Sequence, residues 1–430
     1  MNSTWRRAKL NEVLRPIERP ERPVSGRTYR QLGVRLWGAG AYERESIEGG
    51  ATRYKSLSRV ETDDVVVNKI WARNGSVAVV QPSLAGCYVS SEFPTYAPLL
   101  DRIDPRWMHW LTKTAEFWNL CDEKSQGTSG KNRIRPEQFL NIEVSLPSLD
   151  EQRRIVERLD ALTSMVDGLK RELECQMSSE LACSQSLIDY GIAGGLSEHW
   201  RREHMGTLAG SPAIGGPMSN SDTSVGIRIP GSWRWVRLKA VAAVLDVDHR
   251  MPENSENGIP LVSPKDFIGD DQIDFVGTKR ISEDDYLRMS KKCKPQPGDV
   301  LFSRYGTIGN VRRVPSGMKF QISYSLCIVR PLPRCLSTDY LYWLLKSSLV
   351  LDQALKAKRH IAVPDLGLRY IREFDLPIPP MSEQEAIAER LATAYSKAMC
   401  IQNETLATID GAKRLRSSIL TAAFQGDLAE

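Results

Sequence analysis

The sequence predicts a protein of the α/β (α+β) class, built as two globular units in tandem, each followed by one long helix. Three observations carry this prediction. An internal repeat runs at a nearly fixed offset of 232 residues. Two segments show apolar residues at heptad spacing. Between them, short Val/Ile-rich runs alternate with helical patterns and turn residues.

The repeat is clearest where the helices begin. Pro147-Ser-Leu-Asp-Glu-Gln-Arg-Arg-Ile-Val-Glu-Arg-Leu159 matches Pro379-Pro-Met-Ser-Glu-Gln-Glu-Ala-Ile-Ala-Glu-Arg-Leu391. The offset holds without a gap to Gly194 and Leu196, which fall on Gly426 and Leu428. Upstream, Trp5 and Leu10 match Trp233 and Leu238. Asp64-Val-Val-Val-Asn-Lys69 resembles Asp299-Val-Leu-Phe-Ser-Arg304, and Arg106-Trp-Met-His-Trp110 resembles Asp339-Tyr-Leu-Tyr-Trp343. A period this long is a domain duplication rather than a solenoid. It divides the 430 residues into 1–146 (first globular domain), 147–198 (first long helix), 199–231 (linker), 232–378 (second globular domain) and 379–430 (second long helix). The stretch from Met205 to Pro230 is rich in Gly, Ser, Pro and Asn and reads as a linker or loop.

In the first globular domain, Val65-Val-Val67 and Val77-Ala-Val-Val80 read as strands and Arg106 to Leu120 as a helix. In the second, Val300-Leu-Phe302 and Ile322 to Val329 read as strands and Tyr340 to Lys356 as a helix. The first long helix carries Ile155, Leu159, Leu162, Val166, Leu169 and Leu173 at alternating steps of four and three, with Asp150 as the expected N-cap. The second carries Ile387, Leu391, Ala394, Ala398, Ile401, Thr405, Ala412, Leu415 and Ile419, with Ser382 and Glu385 as a capping-box pattern. A Leu-rich seam facing an Ala/Thr-rich one suits one two-stranded coil better than two separate cores. Glu151-Gln152 and Glu383-Gln384 lie in the first helical turns, where a structural role suffices for them.

Composition narrows the function. No apolar run reaches the ~18–20 residues that cross a bilayer. The N-terminus shows no apolar signal-peptide core, so a cytoplasmic protein is expected. The eight cysteines form no C-x-x-C pair and are expected to be buried thiols, with no bound metal. Net charge is only +5, yet it is unevenly spread. Residues 1–60 hold thirteen Lys/Arg against six Glu. Lys291, Lys292, Lys294, Arg304, Arg312, Arg313 and Lys319 form a second basic group, and Lys356, Lys358 and Arg359 a third. Such patches suit a phosphate backbone, although solvated surface is the simpler reading of any single one.

Two matching loops carry the chemistry of a candidate site. Pro297 to Arg313 reads as a strand, a glycine-containing loop with Ser303, Arg304, Tyr305 and Thr307, and a second strand. Lys69-Ile-Trp-Ala-Arg-Asn-Gly75 occupies the same place in the first unit, with Lys69, Trp71, Arg73 and Asn74. Cationic and amide side chains on a turn can pair with guanine and adenine edges. Lys131, Arg133, Lys358, Arg359 and His360 are secondary DNA-binding candidates in basic turns before the long helices. Motifs for catalysis are missing. There is no N-P-P-[YF] or D-P-P-Y tetrapeptide, no Rossmann glycine loop, and no complete P-loop around Gly127 to Asn132. Pro364-Asp365 lacks the Glu-x-Lys of a common nuclease core.

The paired Pro-x-x-x-Glu-Gln helices, the closing Ser418-Ile-Leu-Thr-Ala-Ala-Phe-Gln-Gly-Asp-Leu428 and the Gly298-Asp-Val-Leu-Phe-Ser-Arg-Tyr-Gly-Thr-Ile-Gly309 segment together identify a resemblance. Over nearly its whole length the chain resembles the specificity subunit (HsdS) of type I restriction-modification enzymes. That resemblance implies two target recognition domains and an antiparallel coiled coil. It further implies a split DNA target read half by half, two modification subunits carrying S-adenosylmethionine, and an optional restriction subunit. It implies no cofactor and no catalytic residue in this chain. One departure is Gly191, a helix-weakening residue where the second repeat has Ala423, so the two docking sites are expected to be unequal. Two other classes would be distinguished by experiment: a coiled-coil DNA scaffold blind to sequence, and a self-contained methyltransferase or nuclease.

Overall fold

The structure, a computed structural model, describes residues 5–125, 132–208, 227–247, 250, 252–357 and 364–428, with side chains omitted for 205–208. It divides into two compact units: residues 1–174 with 406–430, and residues 175–405. Each long helix, Leu149–Ile192 and Met381–Gln425, therefore contributes to both.

The two units share a frame. In the first, Arg6–Lys9 pairs antiparallel with Glu143–Leu146, the strand that leads into the first long helix. In the second, Arg234–Arg237 pairs in the same way with Asp375–Ile378. A four-stranded antiparallel sheet follows in each. Its order is Leu14–Ile17, Thr95–Pro98, Val65–Val67, Val77–Val79 in the first unit. In the second it is Ala242–Leu245, Leu326–Pro331, Val300–Ser303, Val311–Arg313.

These sheets explain the unbroken apolar runs. Side chains alternate across a strand, so a sheet covered on both faces needs no polar positions. Val65, Val67, Val77 and Val79 enter one core with Trp107, Phe117 and Phe139, while Val66, Ala78 and Val80 enter another with Leu32 and Val89. In the second unit Val300 and Phe302 face Tyr340 and Trp343, while Leu301 and Ile328 face Leu261 and Phe320. The units differ in what covers the outer face. The first has a five-stranded mixed sheet of Pro20–Glu21, Leu57–Arg59, Tyr88–Val89, Thr28–Val34 and Ala41–Glu48. The second has smaller three- and two-stranded sheets.

The helices run antiparallel within each unit. In the first unit Arg416 of the second helix meets Asp167 of the first at 3.3 Å, and Phe424 packs on Trp107 at 5.4 Å between ring centroids. In the second, Gln402 Nε2 donates to Ser184 Oγ at 3.4 Å. The helix ends also enter the globular cores. Ile155, Leu159, Ala423 and Phe424 belong to the first unit's core, and Ile188, Ile192, Ile387 and Leu391 to the second's. The seam of the second helix runs through Gln402 and Ile409, both buried, and leaves Ile401 and Leu415 exposed.

Several expected boundaries shift. Ser148 rather than Asp150 caps the first long helix: its hydroxyl lies 3.4 Å from Glu151 N, and Glu151 Oε2 accepts from Ser148 N at 3.3 Å. Ser382 stands inside the second helix, which starts at Met381. The helix expected over 106–120 is two, Pro105–Leu111 and Ala115–Glu123, because Thr114 caps a new start by accepting from Phe117 N. The helix expected over 340–356 likewise breaks at Ser347, giving Thr338–Lys346 and Ser348–Ala357. The strand expected over 322–329 turns at Ser323, whose carbonyl accepts from Leu326 N at 3.0 Å. Part of the expected linker is helical, Glu198–Leu208. Its anchor is ionic rather than apolar, which is why periodicity missed it: Arg201 Nη1 pairs with the fully buried Glu383 at 2.6 Å. All eight cysteines are free, but Cys175, Cys183 and Cys400 are exposed on the long helices instead of buried.

Candidate nucleic-acid interface

In the first unit the loop leaves Val65–Val67 through Asn68, whose Oδ1 accepts from Ile70 N and Trp71 N at 3.1 and 3.3 Å. A short 3-10 turn, Ala72–Asn74, follows and ends on Gly75 at φ +75°. The loop is held from two sides. Lys69 N donates to Glu92 O, and Lys69 O accepts from Ile134 N at 2.9 Å. On the other side sits the tip of the Thr28–Val34/Ala41–Glu48 hairpin: Trp37 N donates to Asn74 O at 2.6 Å and Gly38 N to Gly75 O at 3.1 Å. A Cβ on Gly75 would lie 2.7 Å from Gly38 N, so this approach requires glycine.

The side chains of this loop are available. Trp71 is 44% exposed, and Arg73 and Asn74 are partly exposed. Lys69 Nζ donates to the Ser91 carbonyl at 2.5 Å, and no acid among the described residues forms an ion pair with it. Arg133 is exposed and pairs with Glu92 at 3.3 Å. The structure thus brings Lys69, Trp71, Arg73, Asn74 and Arg133 together. It adds Trp37 and Arg35 on the hairpin tip, which the sequence reading missed. The signal was there in Arg35-Leu-Trp-Gly-Ala-Gly40, two glycines marking a turn after an exposed aromatic.

The second unit repeats the backbone of this site and changes its side chains. Arg304 N donates to Ser325 O and Arg304 O accepts from Leu366 N at 2.8 Å, the counterparts of the two Lys69 bonds. The side chain, however, turns inward. Arg304 is 6% exposed and faces Asp365 at 3.4 Å and Asp246 at 3.6 Å. Ser303 is fully buried, and its hydroxyl accepts from Asn310 N at 2.7 Å. Both residues therefore hold the loop rather than face solvent, a correction to the expectation that they reach bases. Tyr305 and Thr307 remain on the outside, with Tyr305 edge-on to Tyr324 at 5.5 Å and Thr307 exposed. Asp365 occupies the repeat position of Arg133, so the residue flanking the loop changes sign between the two units.

The second basic group is also altered by the fold. Arg312 is buried and donates to the carbonyls of Gln272 and Gly269. Arg313 pairs with Asp271 at 2.8 Å and Asp339 at 2.6 Å, and Lys319 with Glu283 at 2.7 Å. Lys291 and Lys294 are left exposed. Lys131, Lys358, Arg359 and His360 lie outside the described residues. Among the described residues no cluster of three His, Cys, Asp or Glu could hold a metal, and no helix is long and apolar enough to cross a membrane.

Comparison with known proteins places this frame. The family model described as the type I restriction modification DNA specificity domain matches residues 2–175 and again 236–410. Among curated proteins, the chain is 25% identical to the type I restriction enzyme EcoDI specificity subunit of Escherichia coli, over 69% of this chain and 64% of that one. It is 23% identical to the EcoKI specificity subunit of E. coli K12, over 74% and 64% respectively. The matched stretch therefore spans under two thirds of those relatives. Among solved structures, a chain of a type I restriction-modification system described for its complex assembly and conformational transition aligns with a TM-score of 0.66, at 21% identity, over 99% of both chains. The HsdS subunit from Thermoanaerobacter tengcongensis aligns with a TM-score of 0.53 at 23% identity, over 99% of this chain and 97% of that one. With both halves matched by one family model on one repeated frame, the chain belongs to the type I restriction-modification DNA specificity family.

Proposed function

We propose that this chain is the DNA-specificity subunit of a type I restriction-modification system. Each globular unit reads one half of a split target, and the long helices receive modification subunits, two per chain. Those subunits carry the S-adenosylmethionine and the methyl transfer. This chain contributes no catalytic group, works in the cytoplasm, and is joined by a restriction subunit where the system cleaves.

One observation carries this reading. The same backbone frame presents a loop at the same point of both repeats, yet the side chains on the two loops differ. A conserved frame with divergent contact residues suits two half-sites of different sequence, because phosphate contacts set register while side chains read base edges. Lys69, Trp71, Arg73, Asn74 and Arg133 are the first-unit contacts, and Tyr305 and Thr307 the second-unit ones. Lys131, Lys358, Arg359 and His360 are further candidates for contact with the DNA.

The test is co-purification with the modification subunit, followed by methylation mapping on genomic DNA. A split motif methylated only when this chain is present supports the proposal. Replacing residues 1–146 by those of a relative should change one half-motif and spare the other. A complex that methylates no reproducible motif, or methyl transfer by the purified chain alone, overturns it. DNA binding that ignores sequence would favour a scaffold instead.

A further inference from the structure

Trp37 is the most exposed tryptophan side chain on the first unit's surface face, 61% accessible, and beside it Leu36 is 38% accessible. Its backbone lies at φ +58°, the left-handed region that a bulky side chain rarely adopts. Three contacts impose that conformation. Trp37 N donates to Asn74 O, Gly38 N donates to Gly75 O, and the Trp37 ring meets Trp118 edge-on at 5.8 Å. A Cβ on Gly38 would lie 2.8 Å from the Lys113 Cα, so the tip is seated tightly from below. Strain of this kind persists only where surrounding structure over-determines it, and such residues gather at ligand-contacting sites.

The surroundings favour one occupant. Arg35 on the same tip, Lys69 and Arg73 on the adjoining loop, and Arg133 behind Lys69 make the rim cationic. Among the described residues, Glu92 is the one acid paired within it, at 3.3 Å from Arg133. An apolar point inside a cationic rim matches a nucleic-acid duplex, whose phosphates line the edges of a groove floored by bases. A protein partner would have to bring a matching acidic surface to that rim, whereas every duplex carries one in its phosphates.

We propose that Trp37, supported by Leu36, is an apolar wedge that enters a groove of duplex DNA and contacts a base step of the first half-site. Lys69, Arg73 and Arg35 hold the flanking phosphates. This deepens the proposed function and rests on it. Side chains of this class unstack or press on base steps and so discriminate by sequence-dependent deformability. The contact is apolar, and its loss leaves the salt dependence of binding unchanged. Loss of one phosphate-bound lysine or arginine instead flattens the slope of log K against log salt by about 0.9.

The experiment uses the full chain assembled with its modification subunits. The probes are a duplex carrying the motif found by methylation mapping and the same duplex with the first half-site scrambled. Trp37→Asn removes the ring and suits the left-handed backbone. It should weaken binding to the cognate duplex at least fivefold, with the salt slope unchanged and the melting temperature of the chain equal or higher. Trp37→Phe should recover part of the loss. Loss of affinity below fivefold overturns the proposal. So does a loss accompanied by a lower melting temperature, which makes the ring core packing, or by a flatter salt slope, which makes it a phosphate contact. If the wild-type complex fails to tell cognate from scrambled duplex, the functional reading itself fails and the wedge falls with it.

Discussion

Arg158 donates a hydrogen bond from its guanidinium to the carbonyl oxygen of Leu428 at 2.9 Å. Arg390, its repeat partner, donates to the carbonyl of Leu196, the repeat partner of Leu428. The end of each long helix is thus tied to the beginning of the other. Both helices stop in the same way before this bond: Gly194 and Gly426 adopt φ +91° and +94°. The next amides, of Gly195 and Asp427, return to the carbonyls of Tyr190 and Ala422 at 2.9 and 3.0 Å. Glycine supplies the left-handed residue that lets the last turn satisfy its free carbonyls.

This tie means that the first unit's core is completed by the last residues of the described chain. Phe424 is buried against Trp107. Phe424→Ala should destabilise the first unit by roughly 3–5 kcal/mol, through lost burial and the cavity left behind. Hydrogen exchange should report the loss of protection around Trp107 and Phe139 while the second unit's core holds. Equal loosening of both units, or none, would show that the ring is not a part of that core.

Gln152 and Gln384 form a matched clamp. The side-chain oxygen of Gln152 accepts from Asp104 N at 2.8 Å, and its amide donates to the carbonyls of Arg102 and Pro147 at 3.1 and 3.0 Å. Gln384 does the same with Ser337 N, Cys335 and Pro379 at 2.8, 3.1 and 3.0 Å. Both are fully buried. Replacing either by Leu strands three backbone groups and should cost about 3 kcal/mol. Denaturant titration of the single and double variants would measure this, and additive losses are expected for two separate sites.

Gly75→Ala should unseat the hairpin tip from the candidate DNA loop. Its left-handed backbone costs any other residue about 1–2 kcal/mol, before the 2.7 Å approach to Gly38 N is counted. A drop in the first unit's stability near 2 kcal/mol, with faster exchange of the Gly38 amide, is the expected result. An unperturbed Gly38 amide would argue against the contact.

His109 provides a pH signature of the first unit. Burial, reinforced by Lys113 and Arg416, lowers its pKa from 6.5 to about 4. The folded state therefore resists the protonation that the unfolded chain accepts. Stability from this source is complete above pH 6.5 and is lost as pH falls toward 4. His109→Gln should flatten the stability–pH curve of the first unit across that window by roughly 1–3 kcal/mol. An unchanged curve would mean that the imidazole is protonated freely in the folded chain.

Arg304→Ala separates two roles for that residue. Two aspartates face its guanidinium in a nearly closed site. Removing it takes away the cation they share, which should destabilise the loop by about 3 kcal/mol. Binding to DNA should then fall together with stability. Weakened binding with stability intact would return Arg304 to the surface as a direct contact.

The sequence alone determined the duplication, the two long helices, their terminal glycines and the position of the paired loops. These are carried by local signals: residue spacing, turn chemistry and a repeat that survives because both copies solve the same packing problem. Only the tertiary structure decided which loop residues face outward. Lys69 and Arg304 sit at matching positions on matching backbones, but Arg304 meets Asp365 and Asp246 from distant segments, which neutralise a charge that burial would otherwise leave uncompensated. The same holds for Trp37. Its place beside Asn74 and Gly75 depends on a hairpin folding back across the sheet, which no local pattern encodes. Charge pairing and surface exposure are properties of neighbours in space, and long-range contacts alone supply those neighbours.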